Sequence, residues 1–148
     1  MIRVTMEKLR EDAKLPTYGS DGAAGADLYM LADEQVTIKP HETVMLHTGI
    51  KMAIPRGYGG FIFARSGLAA KKGLAPANKV GVVDCDYRGE ILIAMHNSSD
   101  VTAVLEPFER VAQMVFLPYE AAAFIEGAVD ETARGEGGFG STGRGEKQ

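Results

Sequence analysis

The chain has no tryptophan, one cysteine and three histidines among its 148 residues. Because a single thiol cannot form an intrachain disulfide, the fold cannot depend on a disulfide framework. The histidines, His41, His47 and His96, show neither the H-x-x-x-H nor the H-E-x-x-H spacing of zinc sites. Cys85 has no histidine beside it, so it is predicted to be a small packing residue rather than a nucleophile or a metal ligand.

Long apolar runs and an excess of positive charge are also missing. No apolar stretch approaches the about 20 residues of a membrane span, and the N-terminal segment lacks the uninterrupted apolar core of a signal peptide. The sequence therefore predicts a cytoplasmic protein. The formal net charge of −4 argues against a nucleic-acid surface, which would need a basic stripe. An anionic partner is therefore expected to be small.

The patterning that is present indicates strands. With 45% hydrophobic and 24% charged residues, the chain suits one domain with a single core. Glycine and proline interrupt it at short intervals, and about eight aliphatic and β-branched runs between them favour a sandwich, a jelly roll or a barrel. The predicted strands are residues 2–6, 27–31, 35–39, 43–53, 59–63, 90–97, 101–105 and 111–119.

Helix signals are few. Residues 68–72 are the best candidate, because alanine and lysine favour helices and Gly73 stops the run. Residues 120–126 form a weaker candidate. Neither segment could cover a sheet, so the predicted fold class is all-β with one short helix.

The C-terminal end is rich in glycine, so we predict a folded domain over residues 1–133 and a flexible arm over residues 134–148. Glycines also let backbone N–H groups converge on an anion, and the ring of Phe139 could stack on a base. A plain tail and a phosphate-binding arm are about equally supported by the residues alone. The natural phosphate donors among these glycines are Arg134, Ser141 and Thr142.

Residues 81–91 concentrate two aspartates, a tyrosine and an arginine in one apparent β-hairpin turn. Asp84 and Asp86 stand two positions apart, so in an extended chain they share a face, and their repulsion would hinder the ionisation of both. One of them could then act as a general base. A solvated acidic turn is the more common meaning of such a segment, so its role depends on the segments that accompany it.

Two further segments could hold an anionic nucleotide. Arg65, Ser66 and Gly67 end a strand and open the short helix, so a guanidinium, a hydroxyl and backbone N–H groups could face one phosphate. Asp27 begins a strand after a glycine turn, which makes it a candidate outer-sphere partner for Mg²⁺. Each signal is weak by itself.

The segment from Arg110 to Gln113 begins a strand, where alternation places the two side chains on opposite faces. One of them could therefore be structural while the other reaches a site. Arg110 is most simply explained by a salt bridge to a turn carboxylate.

Five segments together, A-G-x-D-L, R-S-G, G-x-V-D-x-D-Y-R-G, R-x-A-Q and R-G-x-G-G-F-G-S-T-G, stand in the order and approximate spacing of the five motifs of trimeric dUTPases. The chain resembles these deoxyuridine 5′-triphosphate nucleotidohydrolases from about Leu15 to Gly143. The resemblance implies a distorted jelly-roll or β-barrel-like catalytic domain over residues 1–133. It also implies a homotrimer whose active sites are shared between subunits, with no nucleic-acid or membrane partner.

The resemblance further implies hydrolysis of dUTP to dUMP and pyrophosphate with Mg²⁺ as cofactor. Asp84 matches the carboxylate that activates a water for attack on the α-phosphorus, and Gln113 matches the amide near the α-phosphate. Asp27 matches the carboxylate that holds Mg²⁺ through water.

Other positions match substrate-binding residues of that family. Tyr87 matches the ring that lies under the deoxyribose and leaves no room for a 2′-hydroxyl. The phosphate motif matches Arg65, Ser66 and Gly67. The positions that read uracil match Asn78, Gly81, Val82, Val83, Asp84 and Leu92. The arm, which closes over a neighbouring subunit's site, matches Arg134, Gly138, Phe139, Gly140, Ser141 and Thr142, with the ring stacked on uracil.

Two alternatives stand beside this interpretation. A dCTP deaminase resembles dUTPase in fold and carries a similar phosphate motif, but the D-x-D-Y-R-G segment and the F-G-S-T-G arm favour dUTP hydrolysis. A regulatory protein that senses dUTP through the arm would not need Asp27, Asp84 and Gln113 together.

Overall fold

Residues 1–138, the part that the computed structural model describes, form twelve short strands and one helix. The predicted all-β class with a single short helix is confirmed. The strands are β1 (Thr5–Lys8), β2 (Thr17–Tyr18), β3 (Ala26–Tyr29), β4 (Val36–Ile38), β5 (Thr43–His47), β6 (Ile50–Ala53), β7 (Tyr58–Ala64), β8 (Leu74–Pro76), β9 (Gly81–Val83), β10 (Leu92–Asn97), β11 (Ala103–Leu105) and β12 (Arg110–Pro118). The helix, α1 (Ser66–Lys72), ends at Gly73, whose φ of 67° lies in the left-handed region.

The largest sheet has the strand order β2-β3-β12-β7-β9, and every neighbouring pair in it is antiparallel. A second sheet has the order β5-β10-β8, and the pairs β1-β6 and β11-β4 complete the described strands. All of these units contribute to one apolar cluster. Its buried members include Leu28, Met52, Met95, Leu105 and Met114. The alternation of buried and exposed residues along the short strands therefore closes one core, as in jelly-roll folds.

Two of the predicted elements are wrong. Residues 43–53 are two strands, because Gly49 takes a φ of 68° between β5 and β6 and sends the two halves into different sheets. Residues 120–126 form no helix. In that segment Phe124 and Ile125 are 98% and 87% exposed, so no packed face stabilises a helix there.

The predicted β-hairpin over residues 81–91 is also wrong. β9 pairs with β7 in the large sheet, whereas β10 pairs with β5 and β8. The segment between them is therefore a crossover from one sheet to another. Asp84 and Asp86 do not lie in an extended strand, because the Tyr87 amide donates to the Asp84 carbonyl at 3.2 Å and closes a turn.

The last strand ends at Pro118, and residues 119–132 form neither helix nor strand. Residues 134–138 are the only part of the predicted arm among the described residues, so the boundary at residue 133 remains a prediction. The helix has seven residues, and residues 1–138 contain none that is long and apolar enough to cross a bilayer.

Candidate active site

A cavity of about 210 Å³, here called the base cavity, lies where the chain leaves β9. Its walls come from β7, β9, the start of β10 and the turns beside them. The lining residues are Ile62, Asn78, Gly81, Val82, Val83, Asp84, Tyr87, Glu90, Ile91 and Leu92. Apart from Phe139 of the arm, the structure thus brings together the positions that the resemblance assigned to uracil and deoxyribose, together with the predicted general base.

The two carboxylates of the turn differ in their surroundings. Asp84 lines the base cavity and is exposed, whereas Asp86 does not line it. Within residues 1–138, no lysine, arginine or histidine forms an ion pair with Asp84. An unpaired carboxylate keeps its acceptor sites for a water molecule. Asp84 is therefore the member of the pair that could act as the base.

The turn is held by its own side chains. Arg88 donates through one guanidinium nitrogen to the carbonyls of Cys85 and Tyr87, at 2.8 Å in each case. Cys85 packs against the core, as predicted, and its Sγ lies 3.6 Å from the Tyr119 hydroxyl, which raises the pKa of Tyr119. The arginine of the motif is thus a structural brace of the turn.

A second cavity of about 240 Å³, here called the phosphate cavity, lies at the other end of β7. It is lined by Asp27, Arg65, Ser66, Gly67 and Gln113. All five are predicted site residues, and they come from β3, the start of α1 and β12. Long-range strand pairing therefore assembles three separate motifs into one surface.

The charged side chains at the phosphate cavity meet at Asp27, which is 8% exposed. Its two oxygens accept hydrogen bonds from Arg65 Nε at 2.7 Å and from an Arg110 guanidinium nitrogen at 3.1 Å. The predicted salt bridge of Arg110 is present, but its partner lies on a strand and not in a turn. Two guanidinium groups and one carboxylate leave a net charge of +1, which suits an anionic group.

Gln113 stands opposite Asp27 in the register of β12 and β3. Its Nε2 donates to the Ala64 carbonyl at 2.9 Å. A Cβ at Gly25 would lie 2.6 Å from Gln113 Oε1, so any other residue would displace the amide from this position. The glycine of the A-G-x-D-L segment therefore has a packing role that the sequence pattern did not reveal.

The resemblance implies Mg²⁺, and the donors can be tested against its chemistry. Within residues 1–138 no group of three or more His, Cys, Asp or Glu side chains could form a metal cage. Mg²⁺ at nucleotide sites uses one or two carboxylates, the substrate phosphates and several waters. Asp27 offers one carboxylate, and each of its oxygens retains a lone pair after the arginine contacts. These residues fit a role in which the carboxylate contacts metal-bound water.

The two cavities share no lining residue. Gln113 is paired with Phe63, while Asp84 follows Val83, which is paired with Gly60. The offset of three residues along β7 and two strand spacings across it separates the Cα atoms of Gln113 and Val83 by about 14 Å at ideal strand spacings. Because the Gln113 amide reaches toward Ala64, away from Asp84, the two side chains of one protomer cannot contact the same phosphate.

The arm is not gathered into either cavity among the described residues. Arg134 Nε donates to the Gly137 carbonyl at 2.8 Å, which closes a local turn. Neither Arg134 nor Gly138 lines the base cavity or the phosphate cavity. The remaining predicted arm positions, Phe139, Gly140, Ser141 and Thr142, lie outside the described residues.

Glu90 is a lining residue that the sequence reasoning missed. Its carboxylate contacts His47 at 2.9 Å. The two residues are 43 positions apart, so no local spacing pattern could have signalled the pair.

Comparison with known proteins agrees with these features. The dUTPase family model matches residues 11–143. A deoxyuridine 5′-triphosphate nucleotidohydrolase from Desulfitobacterium hafniense is 50% identical over 146 residues, which cover 96% of this chain and 97% of the relative. One from Hydrogenobaculum sp. is 46% identical over 143 residues, with coverage of 96% and 99%.

Solved structures of the same family are similar in fold. The Staphylococcus bacteriophage 80alpha dUTPase with dUpNHpp superposes with a TM-score of 0.86 at 25% identity, covering 97% of this chain and 100% of that one. The dUTPase from Streptococcus mutans has a TM-score of 0.70 at 36% identity, with coverage of 82% and 98%. With four of the five family motifs gathered into two cavities of one jelly-roll-type fold, the chain belongs to the dUTPase family.

Proposed function

We propose that the protein hydrolyses dUTP to dUMP and pyrophosphate, which would remove a source of uracil in DNA and supply dUMP for dTMP synthesis. One observation carries the proposal beyond family membership. Asp84 lines the base cavity without an ion-pair partner among residues 1–138, so its carboxylate is available to a water molecule. We place this reaction in the cytoplasm.

The working unit in this proposal is a homotrimer. Because Gln113 lies about 14 Å from Val83, the residue before Asp84, at ideal strand spacings, the base cavity of one subunit would have to meet the phosphate cavity of another. Residues 119–132 support such an assembly, since Phe124, Ile125 and Val129 are almost fully exposed. Exposed apolar side chains of this kind are typical of protein interfaces.

The base cavity would bind the nucleoside. Its polar wall includes Asn78 and the backbone beside Gly81, and a Cβ at Gly81 would lie 3.2 Å from Ile62 Cβ. A tight wall with fixed donors and acceptors would pair with uracil and leave buried groups unpaired with cytosine, a penalty of about 1–3 kcal/mol per group. Tyr87 would lie under the deoxyribose and exclude a 2′-hydroxyl.

The phosphate cavity would bind and orient the triphosphate. Arg65 and the start of α1 would donate to phosphate oxygens, and Gln113 would contact the α-phosphate of the neighbour's nucleotide. Mg²⁺, held through water by Asp27, would neutralise triphosphate charge when bound. Residues 134–148, with Phe139 stacked on uracil, would close over the site and exclude bulk water.

Asp84 would accept a proton from the attacking water while the water oxygen forms a bond to the α-phosphorus. Pyrophosphate would leave from the opposite side, and dUMP would remain in the base cavity. General-base catalysis of this kind contributes roughly 10²–10⁴-fold. Positioning of the water and neutralisation of charge would supply most of the remaining acceleration.

The experiment that tests this proposal compares two carboxylates of the same turn. Asp84→Asn should lower kcat for pyrophosphate release from dUTP by about 10²–10⁴-fold and leave nucleotide binding intact. Asp86→Asn is the matched control and should keep nearly full activity, because Asp86 does not line the cavity. Near-wild-type turnover by Asp84→Asn would rule out the assigned base.

The same preparation distinguishes the two alternatives. A dCTP deaminase would release ammonia from dCTP and no pyrophosphate from dUTP. A protein that only senses dUTP would bind it without turnover.

A further inference from the structure

Tyr87 lies on the rim of the base cavity, where packing alone does not hold it. The residue is 45% exposed, and its hydroxyl donates to the Glu90 carbonyl at 3.0 Å. A Cβ at Gly89 would lie 2.5 Å from Tyr87 Cζ and 3.0 Å from Cε2. The outer half of the ring therefore occupies the space that any side chain at Gly89 would need, and the hydrogen bond fixes its tip.

The carbonyl that accepts the hydrogen bond from the Tyr87 hydroxyl belongs to Glu90, and the side chain of Glu90 holds this residue in place. Glu90 Oε2 contacts His47 Nδ1 at 2.9 Å, and Glu90 Oε1 accepts a hydrogen bond from the Gly49 amide at 2.7 Å. These three residues, Glu90, His47 and Gly49, are here called the Glu90 anchor.

Ile91, the residue after Glu90, is hydrogen-bonded to the turn between β5 and β6, which also holds Glu90. The Thr48 hydroxyl donates to the Ile91 carbonyl at 2.6 Å, and the Ile91 amide donates to the Ile50 carbonyl at 2.9 Å. Ile91 is buried. Four contacts from residues 47–50 thus hold residues 90 and 91 in place, although residues 47–50 lie outside the five motif segments.

The carboxylate in this anchor is charged near neutrality. Burial raises the pKa of the Glu90 carboxyl, but the hydrogen bonds from His47 and from the Gly49 amide lower it by more, so its pKa lies below the ordinary value of 4.5. Hydrogen bonds to a charged acceptor are stronger than those between neutral groups. The anchor therefore restrains the Glu90 backbone more firmly than a loop carbonyl would be restrained by packing alone.

We propose that Glu90 and His47 are positioning residues for Tyr87, and that the Glu90 anchor sets how strongly the site prefers a deoxyribonucleotide to a ribonucleotide. This inference rests on the proposed function, in which the Tyr87 ring lies under the sugar. A ring that can swing outward leaves room for a 2′-hydroxyl. The ring stays in place because its hydroxyl is held by Glu90 and its edge lies against Gly89.

Gly89→Ala tests this most directly. Gly89 does not take a positive φ, so alanine is compatible with its backbone, and the atoms that must move belong to the Tyr87 ring. We expect the ratio of kcat/KM for dUTP to kcat/KM for UTP, measured by pyrophosphate release, to fall about tenfold or more, since displacements of about 1 Å carry effects of this size. Gly22→Ala is the matched control, because nothing lies within 4 Å of a Cβ there, and its ratio should not change.

His47→Ala tests the far end of the anchor and should lower the same ratio several-fold. Its control is His96→Ala, since His96 lies on the paired strand β10 and contacts Thr43 at 2.9 Å, away from Glu90. A ratio measured on one enzyme sample does not depend on the folded fraction. A purely structural loss would therefore lower both rates and leave the ratio unchanged.

A double-mutant cycle between His47→Ala and Tyr87→Phe completes the test. Once the Tyr87 hydroxyl is removed, His47→Ala should change the ratio little further. Additive effects would overturn the proposal, as would an unchanged ratio in Gly89→Ala. A wild-type protein that releases no pyrophosphate from dUTP would instead overturn the proposed function, and the anchor's role with it.

Discussion

The base cavity and the phosphate cavity of one protomer are built in opposite ways. The base cavity is lined mostly by residues 78–92, a nearly continuous segment, and its central carboxylate, Asp84, has no ion-pair partner within residues 1–138. The phosphate cavity joins three distant segments, and its carboxylate, Asp27, is held by two arginines. One carboxylate is left available for chemistry, whereas the other organises a binding surface.

The strongest test of this comparison mixes two inactive proteins. Asp84→Asn and Arg65→Ala should each lose at least about 10²-fold in activity, because one removes the base and the other a phosphate donor. Reassembled together after mild denaturation, they should regain activity, since some mixed sites would combine an intact base cavity with an intact phosphate cavity. The measurement is pyrophosphate release before and after mixing.

The control for mixing is each variant denatured and reassembled alone, which should stay inactive. If both cavities of one protomer formed the site, every site in the mixture would carry a defect. Absence of recovery in trimers that have exchanged subunits would therefore contradict a shared site.

The two carboxylates should also differ in their effect on stability. Asp27→Asn should lower the free energy of unfolding by about 2–4 kcal/mol, because it removes the negative charge to which both guanidinium groups donate. Asp84→Asn should leave it nearly unchanged. Urea denaturation followed by circular dichroism measures both, and equal losses in the two variants would contradict the comparison.

A smaller effect is expected from the glycine beside the amide of the phosphate cavity. Gly25→Ala should displace Gln113 and lower kcat/KM for dUTP about tenfold, because a Cβ would lie 2.6 Å from Gln113 Oε1. Steady-state kinetics beside Gly22→Ala, which has open space around its Cβ, isolates this contact. Equal kinetics in the two variants would mean that the amide has no fixed role.

The smallest effect concerns acid stability at the base cavity. The pKa of Glu90 is lowered from 4.5 in the folded state, so its stabilising contribution is fully present above about pH 4.5 and is lost as the pH falls through the folded value. The difference in unfolding free energy between wild type and Glu90→Gln should therefore shrink below pH 4.5. A difference that stays constant from pH 7 to pH 3 would contradict the hydrogen bonds assigned to the charged Glu90 carboxylate.

The fold was predictable to the extent that it depends on local patterning. The helix was found because Gly73 ends a run of good helix formers, and most strands follow the alternation of apolar residues. The splitting of residues 43–53 was missed because the left-handed conformation of Gly49 is set by where the two halves pair. The failed helix at residues 120–126 shows the same dependence, since no apolar surface covers Phe124.

The candidate site also has one part that the sequence predicted and one part that it did not. Motif order alone identified every residue that lines the phosphate cavity and most of those that line the base cavity. It did not identify the contact between Glu90 and His47 or the packing of Gly25 against Gln113. Those contacts join positions that are distant along the chain, so no local spacing encodes them.

By itself, the order of residues determined the strand-rich class, the family and the chemical groups available to the site, because these depend on alternation and on short motifs. Only the tertiary structure decided that β9 and β10 enter different sheets and that Asp27 is neutralised by Arg65 and Arg110. It also decided that Gln113 lies about 14 Å, at ideal strand spacings, from Val83, the residue before Asp84. Strand register fixes these distances, and register is set by pairing between segments that are far apart in the chain.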